Sequence, residues 1–477
     1  MPVLIRSAPW QKPYEPFPDM STLHVDLDLV KKYNVAGPRY TSYPPATHFT
    51  DKVTADEVSG HIRANNETAR DLSLYFHLPF CETLCWFCGC TTIITTSQEK
   101  SASYIDYVIR EMTAMRSRLH GDRKVVQLHF GGGTPTFSHP DQLRKLGAAI
   151  HENFPFAEDL EAAVEVDPRR LTEDHLKALR EIGFNRASMG VQDNNPEVQL
   201  AVHRIQPLEM TRRVAGWVRD HGFKSLNVDL IFGLPLQTVS SFERTIDDVL
   251  ALNPDRFAVF SYAHVPWMKP AQKIVQRASL PTPETKLQLL RLTVEKLTSA
   301  GYVYIGMDHF ARETDELAVS QQRKTLQRNF QGYSTKGGAD IYAFGMSSIS
   351  QAGPAYWQNL KELPEYYAAV EKDALPFSRG YILTADDLIR RQTIMEVMCN
   401  LGLDYATMSA RLSVNFESYF ERELASLSDL EADGLVQRVP GGIEVTLLGR
   451  LFIRIVAMRF DPYLAKQQQE RRYSQTI

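Results

Sequence analysis

The sequence predicts an α/β protein built on a partial parallel barrel of six strand–helix units, with an N-terminal extension and a small helical, winged-helix-like C-terminal domain. Three observations predict it. Short β-branched or aromatic runs recur from residue 72 onward, at Leu72–Leu78, Val125–Phe130, Ala162–Val166, Arg186–Val191, Ser225–Phe232 and Phe257–Ala263. Stretches with apolar residues at three-and-four spacing lie between them, at Asp141–Asn153, Glu173–Ile182, Pro207–His221 and Val239–Ala251. Strands alternating with helices build βαβ units and a parallel sheet. The third observation is that a turn or an unusual polar group follows each run, and in a parallel barrel all these ends face the mouth where active sites sit.

The strand ends are informative in turn. The first runs into Pro79-Phe80 and a cysteine loop, and the second into Gly131-Gly132-Gly133-Thr134-Pro135. The third ends at Glu165-Val166-Asp167-Pro168 and the fourth at Gln192-Asp193. The fifth ends at Asp229 and Gly233-Leu234-Pro235, the sixth at Tyr262-Ala263-His264. Beyond residue 264 the rhythm loosens. Glu284–Ala300 reads as a helix, Gly301–Phe310 as an extended segment, and Arg328–Tyr333 and Gly345–Ser350 as polar loops punctuated by glycine. From about residue 384 the chain reads as helical again. Phe416, Phe420, Leu424 and Leu427 mark one helix face, and Leu435–Val439 with Ile443–Leu447 form a hairpin around Pro440-Gly441-Gly442. The expected domains are residues 1–70, 71–375 and 376–477.

Composition sets the outer bounds. The chain has 477 residues, 43% hydrophobic and 23% charged, which is globular composition. No run approaches 18 apolar residues, and five prolines interrupt residues 1–20, so neither a membrane span nor a secretory signal is expected and the location is cytoplasmic. With 53 basic against 57 acidic residues the chain offers no footprint for nucleic acid. The winged-helix-like end is itself acidic, with 11 basic and 13 acidic residues from 381 to 477, which favours a structural cap over a DNA reader.

Cysteine usage carries the chemistry. Four of the five cysteines, Cys81, Cys85, Cys88 and Cys90, fall within ten positions, and Cys399 stands alone in an apolar stretch as a buried small hydrophobe. Clustered thiols in a cytosolic chain bind metals or catalyse. C-x3-C-x2-C suits three irons of a [4Fe–4S] cube, leaving the fourth iron open to a chelating amino acid. Two alternatives remain at this point: Cys90 as a fourth ligand that closes the site, and a crowded structural zinc. The Gly131–Gly133 backbone can approach a ligand closely, although on its own it reads as a tight turn. Glu165 and Asp229 suit ammonium, sulfonium or ribose hydroxyls, and Arg204 offers a fork for a carboxylate.

The Cys81-x3-Cys85-x2-Cys88 loop after a first strand, together with the glycine turn after the second, resembles the radical S-adenosylmethionine (SAM) superfamily. Arg39–Pro44, Tyr75, Cys81–Cys90, Gly131–Thr136, Asn329–Tyr333 and the C-terminal region further resemble the oxygen-independent coproporphyrinogen III oxidase (dehydrogenase) family. The resemblance runs from about residue 23 to about residue 465. It implies one [4Fe–4S] cluster on Cys81, Cys85 and Cys88, with Cys90 not a ligand, and two SAM molecules. The cluster-bound SAM would meet Tyr75, Gly132, Glu165 and Ile349. The second would meet Phe87, Gly133, Thr134, Gln192, Arg204, Asp229 and Ala263. Arg39, Tyr40, Thr41, Ser42, Phe330 and Gln331 are implied on the substrate or closure side, with the Arg39–Pro44 loop expected to fold over the mouth. Arg39, Arg312, Lys324 and Arg328 are candidates, by charge alone, for the substrate's carboxylates.

The implied reaction takes hydrogen from a propionate side chain with a 5′-deoxyadenosyl radical. Loss of CO2 and one electron then leaves a vinyl group, twice per coproporphyrinogen III, to give protoporphyrinogen IX. A low-potential electron donor, an electron acceptor of unidentified nature and a monomeric chain complete the expectation. A haem-handling relative of the same barrel, either opening the haem ring or inserting haem, is the alternative. The different-class rival is a binding module with a structural cluster.

Overall fold

A computed structural model describes residues 27–68, 70–275 and 279–464. The sequence also suggests a short amphipathic helix over Leu23–Tyr33; its first residues, the proline-rich leader and the tail Gln467–Ile477 lie outside the described residues.

One compact unit consists of Phe49–Pro281 with Gly338–Ile382. Its centre is six parallel strands: β1 (Leu72–Leu78), β2 (Val125–Gly132), β3 (Phe156–Val166), β4 (Arg186–Gln192), β5 (Ser225–Phe232) and β6 (Arg256–Ser261), each hydrogen-bonded to the next in chain order. That is the predicted barrel arc. β1 is buried at nearly every position, as a strand covered on both faces should be. The third strand starts six residues before the apolar run that signals it. Glu158 and Asp159 are exposed there, so its first half carries no hydrophobic signature.

The connecting helices are locally encoded. Thr172 caps Glu173–Ile182 by accepting from the His175 N–H, and Gly183 closes that helix at φ 109°. Gln98–Arg116, which the sequence reading leaves unmarked, starts from Ser97 and buries Tyr104, Ile105, Val108, Met112 and Met115 at helical spacing.

On its other edge β1 pairs in parallel with β7 (Asp340–Phe344). The sheet then turns antiparallel through β8 (Ile349–Ala352), β9 (Ala355–Asn359) and β10 (Phe377–Ile382). The loop expected at Gly345–Ser350 is therefore the turn between β7 and β8, with its last two residues already in strand.

The other unit gathers three stretches: residues through His48, Thr282–Gly337, and the chain from Leu383 onward. Each unit is thus discontinuous along the chain, where the sequence suggests consecutive domains. Leu27–Tyr33 and Pro283–Ser299 are helices. The segment expected to be singly extended at Gly301–Phe310 is an antiparallel hairpin, Tyr302–Gly306 with His309–Arg312, turning at Met307 and Asp308. Arg328–Tyr333 is likewise a hairpin, Gln327–Asn329 with Gly332–Ser334, with Phe330 and Gln331 at its tip. The three-residue arms of the second are too short to show alternation, which is why it reads as a loop, and the first arm of the other is buried throughout, so it reads as one extended run without a visible turn.

Ala385–Asn400, Tyr405–Leu412 and a three-stranded antiparallel sheet of Gly402–Asp404, Gly442–Val445 and Val436–Val439 form the winged-helix-like end. The expected hairpin is present. Phe416, Phe420, Leu424 and Leu427 are buried together, but the segment is three short helices rather than one, with Phe420 (φ −106°, ψ 23°) at the first break and Leu427 at the second. Cys399 is fully buried in this core, as expected.

Candidate active site

Cys81 closes a two-residue strand, Phe80–Cys81, that pairs with Ile93–Ile94 and so fixes both ends of the cysteine loop. Within the loop the Cys88 N–H donates to the Cys85 carbonyl (3.0 Å), and the Trp86 N–H to the Val202 carbonyl (3.0 Å). The Trp86 ring stacks on His203 at 5.2 Å. Phe87 packs toward Val198, Val202, Leu234 and Tyr262, and its carbonyl accepts from Gln272 Nε2 (3.1 Å).

Each expected cluster thiol has polar company. Cys81 Sγ lies 3.4 Å from the Thr134 hydroxyl. Cys85 Sγ accepts from Arg169 Nη2 (3.5 Å) and Arg204 Nη1 (3.6 Å). Cys88 Sγ accepts from the Cys90 N–H at 3.4 Å. Bonding from Cys90 pulls the Cys88 thiol down to about 6, whereas burial pushes Cys81 up to about 11. A soft, thiol-only donor set with N–H and guanidinium donors aimed at sulfur fits an iron–sulfur cluster, whose potential such bonds tune. Among the described residues no three His, Cys, Asp or Glu side chains converge on a single ion position. A cube does not need that convergence, since its thiolates sit on separate irons.

The glycine turn is shaped by close approach. Gly132 has φ 112°, and a Cβ there would sit 2.6 Å from the His77 ring; one on Gly133 would sit 2.5 Å from the Pro79 carbonyl. The Gly133 and Thr134 N–H groups bond the carbonyls of Leu78 (2.9 Å) and Phe80 (2.9 Å), locking the turn to the cysteine loop.

Beside the turn, Glu165 accepts from the Gly132 N–H (3.2 Å) and lies 3.4 Å from His129 Nε2. Burial alone would raise its pKa, but the bond and charge from His129 overcome it and hold the carboxyl below the usual range. It still keeps 44% of its side-chain surface open, so an anion stands ready for a cationic group. Tyr75 stacks on His129 at 5.6 Å, and its hydroxyl lies 3.2 Å from His77 Nδ1.

Asp167 pins the arginines. It accepts from Arg169 Nη2 (2.6 Å) and Arg204 Nη1 (3.2 Å). Burial opposes its ionisation, but the Arg204 charge and the Arg169 bonds win and bring it to about 2. Arg204 Nη2 also donates to the Gly190 carbonyl (2.6 Å), next to a bulge that leaves Gln192 at φ 71°. Arg204 Nε and Gln192 Oε1 are buried without a protein partner, which is how residues meant to meet a ligand are left. Asp229 is the counterpart of Glu165. Burial and then the Glu165 charge push it up to about 7, despite bonds from Ser188 (3.1 Å) and Asn227 (2.7 Å). Ala263 lies in the exposed segment just past β6, and Ile349 opens β8.

The three cysteines, the glycine turn, Glu165, Gln192 and Arg204 are thus on strand ends or in the segments that follow them, whereas Tyr75 and Asp229 lie within β1 and β5, short of the ends the sequence suggests for Asp229. Arg169, His77, His129, Ser188 and Asn227 are partners that sequence reading missed. Arg169 carried a signal, two residues beyond a strand-end aspartate; the others are ordinary strand residues.

The remaining candidates belong to the other unit. Arg39 is ion-paired with Asp308, and the buried Tyr40 hydroxyl donates to Asp461 (2.9 Å). Ser42 donates to the Pro44 carbonyl (3.0 Å), and buried Arg454 donates to the carbonyls of Pro38 (2.9 Å) and Gly37. Arg39–Pro44 is therefore an anchored, largely buried segment, not a surface linker. Thr41 lies between the two buried residues Tyr40 and Ser42. Of the arginines and lysine singled out by charge, Arg312 packs over the Tyr302 ring at 4.1 Å and Lys324 donates to the Asn400 carbonyl (2.6 Å). Arg328 bonds the Arg39 carbonyl (3.4 Å) with Nη1 left buried and unpartnered, and the Gln331 side-chain amide is unpartnered too.

A parallel barrel arc whose first strand-end loop presents C-x3-C-x2-C, against a glycine turn and an ionised glutamate, defines a radical SAM enzyme. The Radical SAM superfamily family model matches residues 75–249, and that of the HemN C-terminal domain matches residues 383–452. The oxygen-independent coproporphyrinogen III oxidase of Escherichia coli K12 is 46% identical over 95% of this chain and 98% of its own length. That of Synechocystis is 43% identical over 96% and 99%. The solved structure of coproporphyrinogen III oxidase (HemN) from Escherichia coli, described as a radical SAM enzyme, superposes with a TM-score of 0.87 at 45% identity, covering 92% of this chain and 99% of that one. This chain belongs to the oxygen-independent coproporphyrinogen III oxidase family. The family carries a [4Fe–4S] cluster and SAM, and the thiols and carboxylates described here fit both. No helix among the described residues is long and apolar enough to cross a membrane.

Proposed function

We propose that this chain converts two propionate side chains of coproporphyrinogen III to vinyl groups without oxygen, yielding protoporphyrinogen IX, in the cytoplasm and as a monomer. The observation that carries the reading is the near-complete coverage at 46% identity of an enzyme so named, with Cys81, Cys85 and Cys88 at the head of the barrel. In this reading the three thiolates hold three irons and leave the fourth free of cysteine. When bound and reduced, the cluster and its SAM supply a carbon radical able to take hydrogen from an unactivated C–H bond.

The chain's own residues bind and orient. Glu165, ionised and open, receives the ammonium of the cluster-bound SAM, beside Tyr75, the Gly132 backbone and Ile349. A second SAM lies along Phe87, Gly133, Thr134, Gln192, Arg204, Asp229 and Ala263, where Arg204 Nε offers a donor to its carboxylate. Asp229, its carboxyl raised to about 7, keeps a proton on part of the population near neutrality and can then donate a hydrogen bond where Glu165 accepts one.

Arg39, Tyr40, Thr41, Ser42, Phe330 and Gln331 serve the substrate side, with Arg328 Nη1 a donor for a propionate. Each vinyl group requires removal of one hydrogen atom, transfer of one electron to an acceptor and departure of CO2. A low-potential donor must therefore reduce the cluster, and a separate acceptor must take the substrate's electron.

The test is an anaerobic assay with reconstituted cluster, SAM, a low-potential reductant, an electron acceptor and coproporphyrinogen III. Protoporphyrin after oxidation, CO2 and 5′-deoxyadenosine should form together, and Cys85→Ala should reduce all three to background. SAM cleavage without porphyrin product would overturn the substrate, and no cleavage from a loaded cluster would overturn the chemistry.

A further inference from the structure

Helix Gln98–Arg116 begins a few residues beyond the cysteine loop, and among the polar side chains it buries are Tyr104 and Glu111, which no step above uses. The Glu111 carboxylate accepts three hydrogen bonds, from the Tyr366 hydroxyl (2.6 Å), Asn359 Nδ2 (2.7 Å) and the Gly345 N–H (2.8 Å). Asn359 Nδ2 also donates to the Gly345 carbonyl (2.9 Å). Two turns nearer the start of the helix, the Tyr104 hydroxyl donates to the His77 carbonyl near the end of β1 (2.8 Å) and accepts from the Met346 N–H (2.9 Å).

These bonds converge on Gly345 and Met346, where the sheet passes from its parallel to its antiparallel part. The backbone there is not relaxed. Gly345 has φ +94° and Ser347, which has a side chain, φ +60°. A Cβ on Gly345 would lie 2.3 Å from the Tyr104 hydroxyl and 2.7 Å from the His77 carbonyl. From this turn the Ser347 hydroxyl reaches to 3.4 Å from His77 Nε2, and the next strand opens with Ile349. Burial pushes the Glu111 carboxyl up to about 7 even with its three donors, so the anion persists near neutrality only while all three stay aimed at it. An apolar side chain at this depth would serve packing alone at lower cost. A buried acid that accepts from the N–H of the turn's first residue, and from the Asn359 amide that bonds the same residue's carbonyl, serves to fix the turn's geometry.

We propose that Glu111, assisted by Tyr104, is a positioning residue for SAM: it fixes the Gly345–Ile349 turn and so sets Ser347 against His77 and Ile349 against the cluster-bound SAM. The inference rests on the reading above that Ile349 meets that SAM. Glu111→Gln removes the charge at constant size and turns one acceptor into a donor facing Asn359 or Tyr366. Tyr104→Phe removes both of its bonds while leaving the ring packed.

The experiment titrates SAM into reconstituted, reduced holoenzyme with matched iron and sulfide content, and reads the half-saturating SAM from the change in the cluster's electron paramagnetic resonance spectrum. Glu111→Gln should raise it about tenfold or more, the scale of a lost charge-assisted hydrogen bond, and Tyr104→Phe by a few-fold. A role in stability alone would lower the melting temperature and leave half-saturation at the wild-type value. If both variants do that while Ile349→Gly raises half-saturation, Ile349 meets SAM and the brace is refuted. If Ile349→Gly is also without effect, the SAM assignment of the turn fails, and the proposal with it. Should Glu111→Gln not fold, Tyr104→Phe alone decides.

Discussion

The parallel and antiparallel sides of the barrel sheet solve the same problem differently. On the parallel side, functional groups stand on the strands themselves or on the turns that end them: the glycine turn after β2, Glu165 on β3, Gln192 on β4 and Asp229 on β5. Each is aimed by its own strand, and partners such as His129 on β2 and Asn227 on β5 are strand residues themselves. On the antiparallel side, the Gly345–Ile349 turn is aimed by a helix more than two hundred positions earlier in the chain, through Glu111 and Tyr104. Regular structure positions the first set; a buried polar network positions the second. Such networks fail as units when one member is lost.

That contrast can be broken or sharpened by substitution. The largest effect is expected at Glu165→Gln, which removes the open carboxylate. Losing one partner of a buried charge pair costs about 3 kcal/mol, so half-saturating SAM should rise on the order of 100-fold with little change in melting temperature.

Asp167→Asn comes next. It leaves the guanidinium groups of Arg169 and Arg204 near each other without their shared anion. Urea unfolding should show a loss of about 3 kcal/mol. A loss under about 1 kcal/mol would mean that the arginines find water instead.

On the other side of the sheet, Gly345→Ala should cost about 2 kcal/mol, since alanine resists positive φ and its Cβ meets a backbone carbonyl as well as Tyr104. Gly131→Ala should cost less, because the nearest atoms there are the movable end of Glu165 (2.9 Å).

The last expected effect concerns pH. Asp229 has its carboxyl raised to about 7 in the folded chain, against about 4 when exposed. The folded state therefore holds a proton that the unfolded state gives up, and stability falls as pH rises through that window. In cofactor-free protein, urea unfolding at pH 5 and pH 8 should show wild type losing ground to Asp229→Asn at the higher pH. An equal difference at both values would place the pKa of Asp229 in the ordinary range.

The same contrast explains what the sequence disclosed. Six apolar runs and their polar ends reveal the parallel arc, because each signal is local: a β-branched strand, a turn, a misplaced acid. C-x3-C-x2-C is local as well. Glu111 looks like any acid on an amphipathic helix, and nothing near it announces that Tyr366, Asn359 and Gly345 will meet it. Likewise Arg39–Pro44 reads as a proline-stiffened loop, since its anchors, Asp308, Arg454 and Asp461, are hundreds of positions away. The hairpins escaped for simpler reasons: the arms of Gln327–Ser334 are too short to show a period, and Tyr302–Gly306 is buried on both faces and so does not alternate.

The bond between Tyr40 and Asp461 spans 421 positions, and that between Arg454 and the Pro38 carbonyl spans 416. A ribosome adding about 5–20 residues per second exposes Gly37–Tyr40 for about 20–80 seconds before their anchors are made. Throughout that interval the barrel strands can pair with their neighbours in order of synthesis, while the earliest segment waits for the last. Nascent chains stalled before Arg454 should therefore be cut by protease at Gly37–Pro44 with the barrel already resistant, which makes that segment a natural hold for a chaperone during synthesis.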